Sequence, residues 1–168
     1  FAEGDTERAF LLTSPEYAMK KLLVAGMTNI FQICKSFRNG EGRSSKHNHE
    51  FTILEYYRAG VDYTKLMTDL EEMITFLSSE IRGQRSELIY QDQKIDLSSP
   101  WPRMTVAEAF EQYVGISKDQ LLDRDELVRV AKEKGYQVDD STTWEQAYNQ
   151  LFLNEIEPHF PVDRPIFI

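Results

Sequence analysis

Between Asn29 and Arg58, two runs that alternate with period two flank a polar loop, and no other segment restricts the possible folds as strongly. In the first run Phe31, Ile33 and Phe37 alternate with Gln32, Ser36 and Arg38, the pattern of a strand with one face buried. In the second, from about Phe51 to Arg58, Phe51, Ile53, Glu55 and Tyr57 share one face, while Thr52, Leu54, Tyr56 and Arg58 share the other. The connecting stretch Asn39-Gly40-Glu41-Gly42-Arg43-Ser44-Ser45 is polar and rich in turn formers, so it reads as loop. Two strands joined in this way predict an antiparallel hairpin whose loop is larger than a turn requires.

Helical signals lie on both sides of this hairpin. Ser14-Pro15-Glu16 combines a capping hydroxyl, Pro at the first helical position and an acid in the first turn, and Met19, Leu22 and Leu23 follow at helical spacing up to Gly26. Asp62 is placed to cap a long helix whose apolar stripe is Leu66, Leu70, Met73, Ile74, Leu77 and Ile81, ending near Gly83. Glu87 to Leu97 predicts a short hairpin turning at Asp92-Gln93. Thr105 with Glu108, and Thr142 with Glu145, read as capping boxes that open helices to about Val114 and Glu157. Between them, Asp125 to Lys134 is a helical stretch stopped by Gly135. Strands early and helices later predict an α+β fold, an antiparallel sheet flanked by helices, with no internal repeat and no linker.

Charge narrows the chemistry. The chain of 168 residues has a formal net charge of -9, which disfavours a surface that binds nucleic acid or anionic membrane throughout, so any anion site must be local. From Lys35 to His49 the cations Lys35, Arg38, Arg43 and Lys46 face only Glu41, a basic island in an acidic chain. Arg38 offers a planar fork for phosphate or carboxylate oxygens, Phe51 a face for stacking, and Glu55 a charge for an ammonium. The alternative on pattern alone is a solvated basic loop with Phe51 and Tyr57 as core aromatics. His47 and His49 could ligate a metal from one side of a strand, but the third histidine, His159, has no supporting spacing, and no metal ligand is assigned. Cys34, the single cysteine, reads as a small packing residue; a chain that cannot close a disulfide and has no apolar run near ~20 residues is expected in the cytoplasm, away from membranes.

The residues of this segment also resemble a known family. Phe37-Arg38-Asn39-Gly40-Glu41 followed by His47-Asn48-His49-Glu50-Phe51-Thr52-Ile53-Leu54-Glu55-Tyr56-Tyr57 looks like motif 2 of class II aminoacyl-tRNA synthetases in its lysine-enzyme form. Thr13-Ser14-Pro15-Glu16, the strand Phe31-Gln32-Ile33-Cys34-Lys35-Ser36-Phe37 and the Leu54-Glu55-Tyr56-Tyr57 ending most resemble the elongation factor P lysine ligases, paralogues of lysyl-tRNA synthetase. Trp101 to Ala109 is similar to the insertion that follows motif 2. On this likeness residues 1–168 are part of a synthetase-like catalytic domain: 1–100 core with motif 2, 101–160 a mainly helical insertion, and 161–168 the start of a further core strand. Motifs 1 and 3 are then expected outside the chain, and the chain by itself is expected to be inactive.

The resemblance implies ATP-dependent activation of lysine or β-lysine as an adenylate, with transfer to a lysine of elongation factor P. A lysyl-tRNA synthetase with tRNA-Lys as acceptor, or a synthetase-like binding module without catalysis, are the alternatives. Carried over residue by residue, Arg38 binds the α-phosphate and the amino-acid carboxylate and is the catalytic group. Phe51 stacks on adenine, the adenine amino group is read by Glu41 or alternatively by the backbone at Asn39 and Gly40, and His47 and Asn48 lie near the phosphates. Ser14, Pro15 and Glu16 hold the substrate amino group, while Glu55 and Tyr57 receive the ε-ammonium. Mg2+ is implied with its ligands outside this chain, and a homodimer is implied for the full-length protein.

Overall fold

The computed structural model describes residues 10–39, 47–82 and 87–168. It has the α+β character expected, helices combined with antiparallel ladders, and the chain divides by its contacts into Phe1–Leu66 and Met67–Ile168. No helix among the described residues is long and apolar enough to cross a membrane.

The first unit holds α1 (Glu16–Val24), β1 (Asn29–Phe37) and β2 (Glu50–Arg58). The hairpin forms in antiparallel register, with Asn29 opposite Arg58, Gln32 opposite Glu55 and Phe37 opposite Glu50. Directly opposed residues project to the same side, so one face carries Gln32, Cys34 and Ser36 with Glu55, Ile53 and Phe51, and the other carries Phe31 and Ile33 with Tyr56 and Leu54. The burial expected for β1 is reversed: Phe31 is 72% and Ile33 64% exposed, whereas Ser36 is fully buried. Alternation tells which residues share a face and is silent on which face is covered. The covered face here is the one against which the Leu12–Ser14 segment lies, tied by Phe37 N–H to Leu12 O at 2.8 Å and Ser14 Oγ to Glu55 at 3.1 Å. At the start of α1, Pro15 occupies the cap position itself and Ser14 Oγ accepts the Glu16 N–H at 3.2 Å, one step from the expected arrangement. Gly26, at φ +100°, supplies the left-handed residue that turns the chain out of α1 toward β1.

The helix α2 (Tyr63–Arg82) begins where Asp62 predicts, with Asp62 Oδ1 accepting the N–H groups of Thr64 at 3.0 Å and Lys65 at 3.2 Å. Its buried side differs from the predicted stripe. Glu71 and Ser78 are buried, while Leu77 is exposed and Ile81 is 78% exposed. The 97–103 segment lies along a polar ridge beside the apolar one: Thr75 Oγ1 donates to Leu97 O at 3.4 Å, Glu71 accepts the Trp101 N–H at 3.3 Å, and Arg103 donates to Thr68 Oγ1 at 3.3 Å. Hydrogen bonding of a returning chain therefore outweighs hydrophobic period along this helix. The second hairpin, β3 (Glu87–Tyr90) with β4 (Gln93–Asp96), turns at Gln91-Asp92, one residue earlier than expected. Both turn residues have positive φ, +48° and +63°, as a two-residue turn matched to strand twist requires.

The remainder of the second unit is helical: α3 (Val106–Ala109) running into a π-helical turn to Val114, α4 (Lys118–Leu122), α5 (Arg124–Glu133), and α6 (Trp144–Leu151), which continues through irregular turns to His159. The Thr105–Glu108 capping box is present as predicted. The second box falls on Thr143 with Gln146 instead of Thr142 with Glu145, because Thr142 Oγ1 is already taken by the Asp139 N–H at 2.9 Å. Helix α4, capped by Ser117 and Gln120, is an element the periodicity does not reveal. Phe110, Leu127, Ala131, Ala147, Leu151 and Ile156 are fully buried in the core, and Trp144, Tyr148 and Phe152 stack along α6 at 4.9 and 5.6 Å. Near the end of the chain Phe167 forms a parallel bridge with Arg103 and packs its ring 5.5 Å from that of Trp101.

Candidate functional site

The face of the β1–β2 hairpin that carries Phe51 and Glu55 brings most of the expected residues into two clusters. At one end, Glu55 is gripped by two hydroxyls: Ser14 Oγ donates to Oε2 at 3.1 Å and Tyr57 Oη donates to Oε1 at 2.6 Å. Ser14 Oγ also accepts the Glu16 N–H, so one hydroxyl ties the first turn of α1 to the carboxylate on β2. Pro15, between them, is buried. The Glu16 carboxylate pairs with the ammonium of Lys20 one helical turn along.

The protonation pattern follows from this crowding of acids. Hydrogen bonding to Glu55, then partial burial, then the charges of Glu55 and Glu16 push the Tyr57 phenol from 10.0 up to about 12, so it stays a donor across the working range of pH. The hydrogen bond and charge of Glu16 raise Lys20, and Glu55 adds to the effect. Glu16 and Glu55 thus both act on Tyr57 and Lys20, an arrangement of acids able to receive a cation. A cleft of about 330 Å³, bounded in part by Leu23, Met27, Tyr56, Tyr57 and Leu66, adjoins this end.

At the other end, the Arg38 guanidinium lies over the Phe51 ring, 5.2 Å from its centroid, and Nε donates to Thr13 O at 3.2 Å. The backbone locks the same place, with Arg38 N–H donating to His49 O at 2.9 Å and His49 Nδ1 lying 3.0 Å from Arg38 O. An arginine held by a carbonyl and an aromatic ring presents a fixed fork beside a stacking surface. Phe51 and Glu55 are four residues apart on one strand face, about 13 Å between their backbone positions, and the consecutive residues Thr13 and Ser14 contact both clusters, at Arg38 and at Glu55. Asn39, His47 and Asn48 are exposed where the chain leaves β1 and enters β2. Glu41 lies outside the described residues.

Among the described residues, no three His, Cys, Asp or Glu side chains stand together as metal ligands. His159 Nδ1 contacts Glu155 O at 2.9 Å and its ring stacks on Tyr113. Cys34 sits half-buried on the site face, opposite Ile53. Two site features escaped the sequence reading: the Thr13 carbonyl as the Arg38 acceptor, which no pattern announces, and Lys20 as the partner of Glu16, which the i, i+4 spacing of a helix does announce.

Comparison with known proteins agrees with the motif. Residues 3–156 match the family model described as tRNA synthetases class II (D, K and N), and the chain belongs to that family. It is 37% identical over 164 residues to the lysine–tRNA ligase of Moorella thermoacetica, an alignment covering 95% of this chain and 33% of that protein. Identity is 36% over 166 residues to the lysine–tRNA ligase of Pelotomaculum thermopropionicum, covering 95% and 32%, and 33% over 165 residues to that of Chloroflexus aurantiacus, covering 95% and 33%. The chain spans about a third of the length of these curated relatives.

Proposed function

We propose that the whole protein is an ATP-dependent ligase that activates lysine or β-lysine as an adenylate and passes the acyl group to a lysine of elongation factor P. The observation that carries the first step is the doubly hydrogen-bonded Glu55 carboxylate on the same strand face as the Arg38–Phe51 pair. A substrate ammonium at Glu55 and Tyr57, with its amino group toward Ser14 and Glu16, leaves the carboxylate directed at Arg38. The Arg38 fork then spans that carboxylate and the α-phosphate of ATP, and Phe51 offers its ring to the adenine, with Asn39, Glu41, His47 and Asn48 around the nucleotide. The carboxylate attacks the α-phosphorus in line and pyrophosphate leaves, so no side chain serves as nucleophile; Arg38 stabilises the charge that develops. The arginine and the aromatic ring suit a nucleoside triphosphate, and no described residues are offered as ligands for Mg2+.

The acceptor is the finer point. Ser14-Pro15-Glu16 and the wording of the two strands support elongation factor P, with a homodimer in the cytoplasm as the working form. The names of the relatives favour a second reading in which tRNA-Lys is the acceptor. The test is pyrophosphate exchange by the whole protein with lysine and with β-lysine, followed by acyl transfer to elongation factor P and to tRNA. Arg38→Ala is expected to lower exchange by a factor of about 100–1,000 with the fold retained. Exchange at the parental rate in that variant would refute the assignment, and acylation of tRNA alone would select the second reading.

A further inference from the structure

The carboxylate end of the site already holds a lysine ammonium, and it belongs to the chain itself. Lys20 lies one turn beyond Glu16 on α1 and pairs with its carboxylate. Ser14 Oγ joins the backbone of Glu16 to the carboxylate of Glu55, so the residue that Lys20 pairs with is tied to the strand acid of the proposed pocket, and the charge of Glu55 reaches Lys20. Both partners are largely solvent-accessible, with the Lys20 side chain 56% and the Glu16 side chain 43% exposed. An accessible i, i+4 pair opens readily, which a permanent structural bridge does not do. A free amino acid bearing an ammonium brings the same chemical group to the same carboxylate, and Glu16 cannot serve both fully.

We propose that Lys20 is an internal competitor for the substrate-amine site: its ammonium occupies Glu16 in the unliganded protein and is displaced when lysine or β-lysine binds. This rests on the lysine-activating reading above. Binding then exchanges one ammonium for another at Glu16, which lowers apparent affinity for the amino acid while keeping the carboxylate paired, oriented and closed to stray cations before substrate arrives. The arrangement selects for ligands that add contacts at Glu55 and Tyr57, because a bare ammonium gains nothing over the one already present.

The test compares the parent whole protein with Lys20→Met, which keeps the stem and removes the charge, and Lys20→Arg, which keeps a cation. Lysine affinity is read by titration calorimetry and by its KM in pyrophosphate exchange. The expected result is a lysine Kd about twofold lower in Lys20→Met at low ionic strength, the size of an exposed helical ion pair, with the change falling on KM for lysine rather than on kcat. High salt should erase the difference by screening the pair. Lys20→Arg should bind lysine as the parent does. In parallel, acetic anhydride labelling read by mass spectrometry should modify Lys20 faster once lysine is bound, since the displaced amine has lost its acidic partner. Unchanged or weaker lysine binding in Lys20→Met, or Lys20 labelling that slows with bound lysine, overturns the competition while a parent that still exchanges pyrophosphate leaves the lysine reading standing. A parent that neither binds lysine nor exchanges overturns both.

Discussion

Tyr57 offers a direct gauge of the proposed cation receptor, because its phenol reports the carboxylate it touches. In Glu55→Gln the anionic acceptor disappears, and the Tyr57 pKa is expected to fall from about 12 toward 10.0. It should stop between the two, since the substitution removes the charged hydrogen bond and the Glu55 field but leaves the partial burial and Glu16. The rise from 10.0 to about 12 sets a ceiling of roughly 3 kcal/mol on what the contact contributes to stability. Water reaches this half-buried pair and screens it, so roughly 1 kcal/mol is the expected cost of Tyr57→Phe. The sign follows from a folded pKa above the unfolded one: the contribution is complete below pH 10.0 and is lost as pH climbs through about 12. Nuclear magnetic resonance of ring-labelled tyrosine reads the titration directly, and the signal missing from Tyr57→Phe identifies the residue among eight tyrosines. A Tyr57 that titrates near 10 in the parent, or that ignores Glu55→Gln, removes Glu55 as its acceptor and with it the preorganised receptor on which the proposed lysine pocket depends.

Two further outcomes test the helical unit. Leu127 is fully buried in the core, so Leu127→Ala is expected to cost about 2–5 kcal/mol, seen as a lowered denaturant midpoint with an unchanged slope. Thr143→Ala should cost about 1 kcal/mol by removing the cap of α6, and the loss should exceed that of the control Glu145→Gln, since Gln146 and not Glu145 closes the box; equal losses in the two variants, read by the same denaturant midpoints, place the cap wrongly.

The legible part of this molecule is what local chemistry decides. Period two gave the hairpin and its facing residues, and the Asp62 and Thr105 caps gave helix starts, because a strand alternates and a helix end needs acceptors whatever surrounds it. The grouping of candidate site residues was legible for a related reason: Phe51, Glu55 and Tyr57 share one strand face by parity and Arg38 directly follows the paired strand, while the roles offered for them come from the family resemblance. The misplacements share a different cause. Thr142 and Thr143 are equally good caps by type, and the choice was made by Asp139, whose amide claims Thr142 first. Gln91-Asp92 and Asp92-Gln93 are equally plausible turns until the pairing of Tyr90 with Gln93 selects one.

The buried sides of β1 and α2 show where such reasoning stops. Which face of a strand or helix is covered depends on segments distant in the chain: on Leu12–Ser14 for the hairpin and on Leu97–Arg103 for α2. In both cases the segment arrives with hydrogen bonds to polar groups, so positions such as Ser36 on β1 and Glu71 on α2 are covered that hydrophobic pattern leaves to solvent. On the hairpin that inversion is useful chemically. A face chosen by polar contacts keeps Glu55, Tyr57 and Arg38 together with defined partners, whereas the apolar residues Phe31 and Ile33 stand on the opposite side. The same Ser14 hydroxyl that decides the burial also orients the carboxylate, so local folding and the preorganisation of the site are one interaction. A Ser14→Ala variant should therefore disturb the two together, lowering the denaturant midpoint and raising the KM for lysine, and a change in only one of these measurements would separate them.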